Sequence, residues 1–467
     1  MKRDRYDVLV VGGGPGGTPT AMALAAAGRQ VLLVEKGEGL GGTCLFEGCI
    51  PSKILRESAR RKRELEQAFD FGLCLPGGDL HTDWSAIQQR KRHILKRRSQ
   101  GALHRAGQLP TLEIAFGTAR FLDPRRAVVQ SEGEGKEIGF DQAVIATGSV
   151  PFLPPIPGLD HPCVMDSESI LGIDHIPERL VIIGGGPIGV ELGQVFRVFG
   201  SKVTILEAAP HILGPVDREL AERLQQIMAG DGIGIVTGCR IDDIANTGGG
   251  VYVNIHDGDG SEQRHYADTV LVVTGRRPNV EGLGLENTAV THGPHGIDVD
   301  ATLQTREAGI HAVGDVIGQP MFAHWATAQG LALARHLLGQ PIPFPTPETN
   351  TAVIFSQPEI GIAGLTEQQA RDRGMEVNVA RYDFSQDARA QIEGCDDGLL
   401  KIVYDRQSRK VVGVHALVAG AGELMGEAAL AVRAGVPMEA LAGSIHPHPT
   451  LTESFAQAVR AALAARQ

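Results

Sequence analysis

Residues 7–35 read DVLVVGGGPGGTPTAMALAAAGRQVLLVE, and residues 179–207 read RLVIIGGGPIGVELGQVFRVFGSKVTILE. Laid over one another, they keep Gly12, Gly14, Gly17, Gly28 and Glu35 in register with Gly184, Gly186, Gly189, Gly200 and Glu207, each pair 172 residues apart. Each copy is an apolar strand, a G-x-G-x-x-G turn, an Ala- or Val-rich helix and a second apolar strand ending in Glu. The glycines permit a tight turn and close approach of backbone to a pyrophosphate at the helix N-terminus. The terminal carboxylate suits a ribose hydroxyl. One such turn is a weak sign. Two in register, each with its strands, helix and acid, predict two dinucleotide sites.

Both copies close in the same way, the first at FDQAVIATG (140–148) and the second at ADTVLVVTGRRPN (267–279). Short alternating segments with turn signals such as DGDG (257–260) precede these endings and predict a small antiparallel meander. Thr147 and Thr274 are only 127 residues apart, so the first unit carries about 45 extra residues, between Thr43 and Pro110. Proline-rich stretches at 149–158 and 339–348 mark boundaries. The resulting division is 1–149 for a first dinucleotide domain, 150–274 for a second, a return to the first over 275–345, and a third domain over 346–467.

Composition narrows the classes. A chain of 467 residues with 42 % hydrophobic residues and no low-complexity tract is folded, with about three domains. No apolar run reaches the ~18 residues of a membrane helix. The start MKRDRYDVLVVGGGPGG runs into the glycine turn without a signal-peptide cleavage site. A net charge of −11 argues against global binding of nucleic acid. Six cysteines are too few for a secreted disulfide scaffold, so a cytoplasmic, mostly reduced protein is expected.

Two further stretches bear chemistry. In GGTCLFEGCIPSK (41–53), Cys44 and Cys49 stand five apart. Spacing alone leaves two readings open, a pair of buried thiols or a redox pair. In a regular helix their Cα atoms would lie ~8.7 Å apart, beyond the ~7 Å limit of a disulfide. A bridge therefore requires the helix to be broken, and Gly48 and Pro51 suit a break. In HPHPTLTE (446–453), two prolines keep His446 and His448 out of regular helix. Glu453, five residues after His448, is able to fix the imidazole tautomer and favour imidazolium. The remaining cysteines, Cys74, Cys163, Cys239 and Cys395, lack metal-like spacing and read as buried thiols. No metal site is expected. The basic runs at 60–63 and 90–98 read as solvated helical faces, or as a docking face for an acidic partner protein.

From GGGPGG through GGTC and CIPSK, GGGPIG, TGRRPN and GIHAVGD to HPHPTLTESF, the chain resembles the class I pyridine nucleotide–disulfide oxidoreductase family end to end, and within it the dihydrolipoamide dehydrogenase branch. The resemblance implies an α/β fold of two Rossmann-like dinucleotide-binding domains plus a C-terminal α+β dimerisation domain. It implies FAD on the first fingerprint (Gly12, Gly14, Gly17), with Glu35 on the adenosine ribose and Asp315 on the ribityl chain. Thr43, Gly117, Thr147, Gly148 and Ala323 would add cofactor contacts, and Lys53 would sit by the flavin, paired with Glu191. NAD would occupy the second fingerprint (Gly184, Gly186, Gly189), with Glu207 and Gly275. Cys44 and Cys49 would form the redox disulfide, with Cys44 in exchange and Cys49 facing the flavin. His448 and Glu453 would serve them from the partner subunit of a homodimer, and His446 is given no chemistry.

The implied activity is oxidation of protein-bound dihydrolipoamide with reduction of NAD⁺. The dithiol carrier would be a 2-oxo acid dehydrogenase complex, a glycine cleavage system or another lipoate-binding protein. Neither nucleic acid nor membrane is an expected partner. The chain departs from the branch at Phe46 and Glu47, where Asn-Val is usual, and at Trp325, where Lys is common. A carboxylate at 47 is expected to raise the thiol pKa values. The alternative is a related NAD(P)H-dependent reductase of glutathione-type disulfides. Ser52 and Glu207 argue against glutathione itself, the lack of a terminal vicinal cysteine pair argues against mercuric ion, and the intact cysteines and His448 argue against a mere binding module.

Overall fold

In a computed structural model the described residues are 1–74, 80–131, 133–340 and 342–465. Pro341, within the second proline-rich stretch, lies outside them. The chain divides into two compact units. The first comprises Met1–Leu153, Asp166–His175 and Gly275–Pro345. The second comprises Pro154–Met165, Ile176–Thr274 and Thr346–Gln467, so the second dinucleotide segment and the C-terminal segment share one unit.

The first unit grows from strand β1 (Arg5–Val11), helix α1 (Gly17–Ala26) and strand β2 (Val31–Glu35). Strand alternation sends Val8 and Val10 to one face, where they meet Ala21 and Leu24 of α1. Leu9 and Val11 go to the other, with Phe121 and Phe140. Because both faces are covered, the strands are apolar throughout. The insertion after β2 folds as α2 (Gly42–Phe46), α3 (Cys49–Glu66) and α4 (Trp84–Gly107). Strands β3 (Leu112–Asp123), β4 (Arg126–Ser131) and β5 (Glu134–Ile145) follow. β3 pairs parallel with β2, and β5 parallel with β1, while β4 joins β3 and β5 as an antiparallel meander. The strand Ile310–Ala312 returns to pair parallel with β5, and the helix Ala323–Leu337 follows it.

The second unit repeats the plan. Its parallel sheet runs Gly234–Thr237, Lys202–Glu207, Arg179–Ile183, Thr269–Val272, with helices α5 (Pro187–Val198) and α6 (Arg218–Gly230). Residues 240–267 form the antiparallel meander expected before the closing strand. Beyond 350 an antiparallel five-stranded sheet, Thr351–Ile354, Glu359–Gly364, Val411–Val418, Leu399–Asp405, Val377–Asp383 in spatial order, carries the helices Ala421–Ala434 and Glu453–Ala464. A buried ion pair ties the halves of this unit together. Lys401 Nζ lies 2.7 and 2.9 Å from the carboxylate oxygens of Asp217, which also caps α6. Among the described residues no helix is long and apolar enough to cross a membrane.

Helix α4 corrects one sequence expectation. Its inner stripe is Trp84, Gln88, Lys91, Leu95, Ser99 and Ala106, at the i, i+3, i+4 spacing of one buried face. Lys91, inside the run read as solvated, is only 6 % exposed and donates to Leu171 O. Gln88 Nε2 donates to Ile173 O at 3.0 Å and Trp84 Nε1 to the same carbonyl at 2.9 Å. These three donors satisfy carbonyls of 171–173 and draw Asp166–His175 into the first unit. The cysteines supply a second correction. Cys239 alone among the four outlying thiols is buried, whereas Cys74 is exposed and Cys163 and Cys395 are half-buried. Cys74 follows a short turn, Ala68–Phe71, beside an exposed Leu73, and no core element among the described residues covers it.

Burial, reinforced by Arg92, lowers the Lys91 ammonium from 10.5 to about 8. The unfolded chain therefore binds this proton more tightly than the folded one between those values. The resulting penalty is full below about pH 8 and is relieved as pH rises towards 10.5. Over that window the stability of wild type relative to Lys91→Met should rise, by on the order of 2–3 kcal/mol. Urea unfolding of both proteins across the window measures it, and a pH-independent difference would refute the assignment.

Candidate active site

The two fingerprint turns match atom for atom. Glu35 Oε2 accepts from Gly13 N at 2.6 Å and Oε1 from Gly37 N at 2.7 Å. Glu207 Oε2 accepts from Gly185 N at 2.6 Å and Oε1 from Ala209 N at 2.7 Å. Each carboxylate thus locks its own turn. The glycines divide into two kinds. A Cβ on Gly12 would stand 2.2 Å from Ala146 O, and one on Gly17 1.8 Å from Gly12 O. The counterparts Gly184 and Gly189 would meet Val273 O at 2.5 Å and Gly184 O at 2.0 Å. These four are fixed by the fold's own packing. In contrast, a Cβ on Gly186 would meet nothing within 4 Å, and one on Gly14 only Gly42 Cα at 3.9 Å. The second glycine of each turn therefore leaves a bare backbone concavity, which fits a pyrophosphate.

The cysteine stretch is seated on the first turn. Gly41 N donates to Gly13 O at 2.9 Å, and a Cβ on Gly42 (φ +55°) would lie 2.8 Å from Gly14 Cα. Helix α2 then carries Cys44, and α3 starts at Cys49. Between them Glu47 and Gly48 leave the helical region, with φ −136°, ψ 18° and φ −151°, ψ −107°. The break that a bridge requires is therefore present. Pro51 falls in the first turn of α3, where its missing N–H costs nothing. The two sulfurs are reduced thiols in hydrogen-bond contact. The Cys44 thiol is pushed up by that hydrogen bond, by burial and by negative charge on Cys49, while Lys53 and Arg98 oppose the rise.

Glu47 does something other than expected. Its carboxyl is raised by burial and by Glu168, and Lys36 and Arg276 oppose this. The carboxylate thus senses this charged cluster, while the Cys44 thiol is governed by Cys49, burial and two cations. Trp325 is buried in the helix Ala323–Leu337, which starts at Ala323 beside a stacked Phe322–His324 pair.

Asp315 sits in a half-buried pocket of polar groups. Its Oδ2 accepts from Ser149 Oγ at 2.7 Å, and its own backbone amide also donates to the carboxylate. Burial raises this carboxyl, against Ser149 and Arg276. A half-buried carboxylate, with lone pairs beyond those two contacts, fits the hydroxyls of a polyhydroxyl chain. Arg276 holds the surroundings, donating to Ser149 Oγ (2.8 Å), Ser149 O (2.9 Å) and Glu168 Oε1 (3.0 Å). Thr147 Oγ1 donates to Asn279 O at 2.7 Å, which ties the two closing T-G segments together. Gly148 (φ +71°) and Gly275 (φ +140°) both face open space. Gly117 has a reason internal to the sheet, since its Cβ would lie 1.8 Å from Gln130 O. Thr43 lies in α2 next to Cys44. Lys53 Nζ donates to Ser52 Oγ at 3.4 Å, and in the second unit Glu191 Oε1 accepts from Phe355 N at 2.9 Å.

Near the C-terminus, His448 Nδ1 lies 3.1 and 3.2 Å from the two oxygens of Glu453. Glu453 begins the helix Glu453–Ala464 and also accepts from Thr450 N at 3.0 Å. That amide, with His448 and His446, holds its carboxyl below the usual range, so it is an anion through neutral pH. The His448 side chain is 72 % exposed and turns Nε2 away from Glu453. Such a pair can take a proton at Nε2 and stabilise the charge that results. His446 Nε2 makes a parallel contact with Glu427 Oε1 at 3.0 Å, which sequence reading missed because Glu427 lies in the helix Ala421–Ala434. Arg276 was missed as an individual residue too, although TGRRPN contained the signal. Among the described residues no group of three or more His, Cys, Asp or Glu is placed to hold a metal.

Residues 6–330 match the family described as pyridine nucleotide-disulphide oxidoreductase, and residues 351–459 its dimerisation domain. The chain is 37 % identical over 465 residues to the dihydrolipoyl dehydrogenase of Thermus scotoductus, covering 98 % of this chain and 97 % of the relative. It is 36 % identical over 455 residues to a dihydrolipoyl dehydrogenase of Bacillus subtilis, covering 97 % of each. The solved Cu(II) complex of the HOCl-induced flavoprotein disulfide reductase RclA from Escherichia coli superposes with a TM-score of 0.88 at 28 % identity, over 98 % of this chain and 100 % of that one.

The division of the glycines gives a paired test. Gly189→Ala should lower the melting temperature by roughly 5 °C or more, because its Cβ meets backbone. Gly186→Ala should leave the melting temperature within about 2 °C yet raise KM for the nicotinamide nucleotide at least about tenfold. Differential scanning fluorimetry and initial rates decide it, and equal melting losses would contradict the open concavity at Gly186.

Proposed function

Because the chain belongs to the pyridine nucleotide–disulphide oxidoreductase family, whose members work with FAD and NAD(H), we propose that it is a dihydrolipoyl dehydrogenase. It oxidises the dithiol of a protein-bound dihydrolipoyl group and reduces NAD⁺. The observation that carries this reading is the Cys44–Cys49 contact at the helix break, set against the first fingerprint turn by Gly42. Identity of 37 % along nearly the whole length of a dihydrolipoyl dehydrogenase supports the substrate class. On the first fingerprint Gly14, Glu35 and Asp315 would hold FAD, which would supply two-electron transfer between a dithiol and nicotinamide.

The chain's own residues do the rest. A free thiol is only a few per cent ionised at neutral pH. His448 Nε2 takes the substrate's proton, while Glu453 holds Nδ1–H and offsets the imidazolium charge. The substrate thiolate attacks the Cys44 sulfur of the oxidised pair, and the Cys44–Cys49 bond breaks with Cys49 leaving as thiolate. The second substrate thiol then displaces Cys44, closing the substrate disulfide and leaving a reduced pair. Electrons balance at two out of the substrate and two into Cys44 and Cys49. The assignment of Cys44 to exchange rests on family resemblance. So does the arrangement in which His448 of one protomer serves the partner's Cys44 in a homodimer. We place the enzyme in the cytoplasm, acting on a lipoyl-domain protein.

A second reading, a pyridine-nucleotide-dependent reductase of a low-molecular-weight disulfide, is favoured by the likeness to RclA. Steady-state rates separate the two. Dihydrolipoamide with NAD⁺ should give a kcat/KM at least about a hundredfold above that of NADPH with glutathione disulfide. The reverse order would select the second reading. His448→Ala should lower dihydrolipoamide oxidation by about 10²–10⁴-fold. Coenzyme choice follows from Glu207, since residues 208–213 contain no Arg or Lys to pair a 2′-phosphate. NAD⁺ should exceed NADP⁺ in kcat/KM by roughly one to three orders of magnitude, and parity would sink the assignment.

A further inference from the structure

The two basic runs look alike in sequence and differ in the fold. On α3, Arg60 pairs with Glu57 at 2.9 Å and with Glu64, Arg61 with Glu57 at 2.8 Å, and Lys62 with Glu66. On that helix Arg60, Arg61 and Lys62 thus find acids of their own at i, i+3 and i, i+4. Helix α4 has seven Lys and Arg among 24 residues and no Asp or Glu at all. Lys91 turns inward. The other six, Arg90, Arg92, Lys96, Arg97, Arg98 and Arg105, are all exposed. Among the described residues none of the six has an ion-pair partner. This is a concentration of one sign on a chain of net charge −11.

The helix is also held so that this charge must face outward. Trp84, Gln88 and Lys91 bind the carbonyls of 171–173 and fix its rotation. At 100° per residue, Arg90, His93, Arg97 and His104 then lie opposite the buried stripe, flanked by Arg92, Lys96, Arg98 and Arg105. From Arg90 to Arg105 the charge extends about 22 Å. One end of this face reaches the thiols. Leu95 of α4 packs with Leu45 of α2 and Ile54 of α3, and Arg98 lies within electrostatic reach of Cys44.

We infer that the outward face of α4 is the docking surface for an acidic patch on the protein that carries the dithiol, steering that protein towards Cys44 and Cys49. The inference rests on the reading of the enzyme as a dihydrolipoyl dehydrogenase. Span selects a protein over a free disulfide, because a molecule of a few ångströms can engage only the Arg98 end. Restriction to one helix selects a compact domain over a long polyanion, which would also lie along the acidic remainder of the chain. Like charges left unpaired on a helix are otherwise unfavourable, and an acidic partner offsets them while raising the encounter rate.

The test uses the FAD-loaded enzyme and three probes. These are a reduced lipoyl domain rich in surface Asp and Glu, the same domain with those residues changed to Asn and Gln, and free dihydrolipoamide. The variant combines Arg90→Gln, Arg92→Gln, Lys96→Gln and Arg97→Gln, and the control combines Arg61→Gln and Lys62→Gln on α3. In the variant, kcat/KM for the acidic domain should fall about 10–100-fold at low salt, with free dihydrolipoamide within about twofold of wild type. The wild-type advantage should fade with rising salt and be absent for the neutralised domain. The control should behave as wild type. Equal losses on all probes, or no loss on the acidic domain, would overturn the inference. So would tighter binding of a fluorescent DNA duplex than of the acidic domain at the same salt. Should wild type fail to oxidise free dihydrolipoamide, the functional reading fails. Fluorescence anisotropy of the labelled acidic domain against enzyme and variant still decides the docking surface, since it needs no turnover.

Discussion

Two residues of broken helix are what the chemistry depends on. An unbroken helix from Gly42 onward would hold the Cα atoms of Cys44 and Cys49 ~8.7 Å apart, too far for their sulfurs to bond. Glu47 and Gly48 leave helical geometry, and the thiols come into hydrogen-bond contact. The break is also placed, because Gly42 can press against Gly14 only where position 42 has no side chain. The same glycine-rich turn that fits a pyrophosphate thus seats the cysteine pair. In the function we propose, this local backbone departure becomes a redox centre through its attachment to a rigid dinucleotide unit.

The repeated unit was legible because its causes are local. Strand alternation, glycines that abut their own backbone and a terminal Glu all act within about 30 residues. The sequence offset of 172 reappears as matching hydrogen bonds, from Gly13 to Glu35 and from Gly185 to Glu207. The break between the cysteines was legible for the same reason, and the meander over 240–267 followed from its turn signals. Less accessible were features set by distant segments. Lys91 reads as one more surface cation, and only the arrival of Leu171 O makes it a buried anchor. Arg276 gathers Ser149 and Glu168 from more than 100 residues away. Glu191 meets the amide of Phe355, and His446 meets Glu427 on the helix Ala421–Ala434. Cys74 was misplaced because composition gives a thiol's usual environment, and exposure depends on what packs over it.

Charge shows the boundary between the two kinds of information. The acids that pair with Arg60, Arg61 and Lys62 on α3 stand three and four residues away, so these pairs could be read from spacing alone. The absence of acids on α4 is equally plain in sequence. What the sequence lacks is the helix's rotation, which Trp84, Gln88 and Lys91 fix through carbonyls some 80 residues away. At the other end of the chain, His448 and Glu453 form a self-contained proton-handling pair, in the segment that matches the dimerisation domain. Cys44 and Cys49 therefore belong to one compact unit and His448 and Glu453 to the other, and in the function we propose two protomers bring them together.

The most direct test of that claim is subunit complementation. Cys44→Ser and His448→Ala proteins, each inactive alone, are refolded together in equal amounts and assayed with dihydrolipoamide and NAD⁺. Random pairing makes half of the dimers mixed, and each mixed dimer holds one intact site of two. About a quarter of wild-type activity should return. No recovery, with mixed dimers confirmed by mass spectrometry, would mean that His448 serves its own chain, and the shared-site account would be wrong.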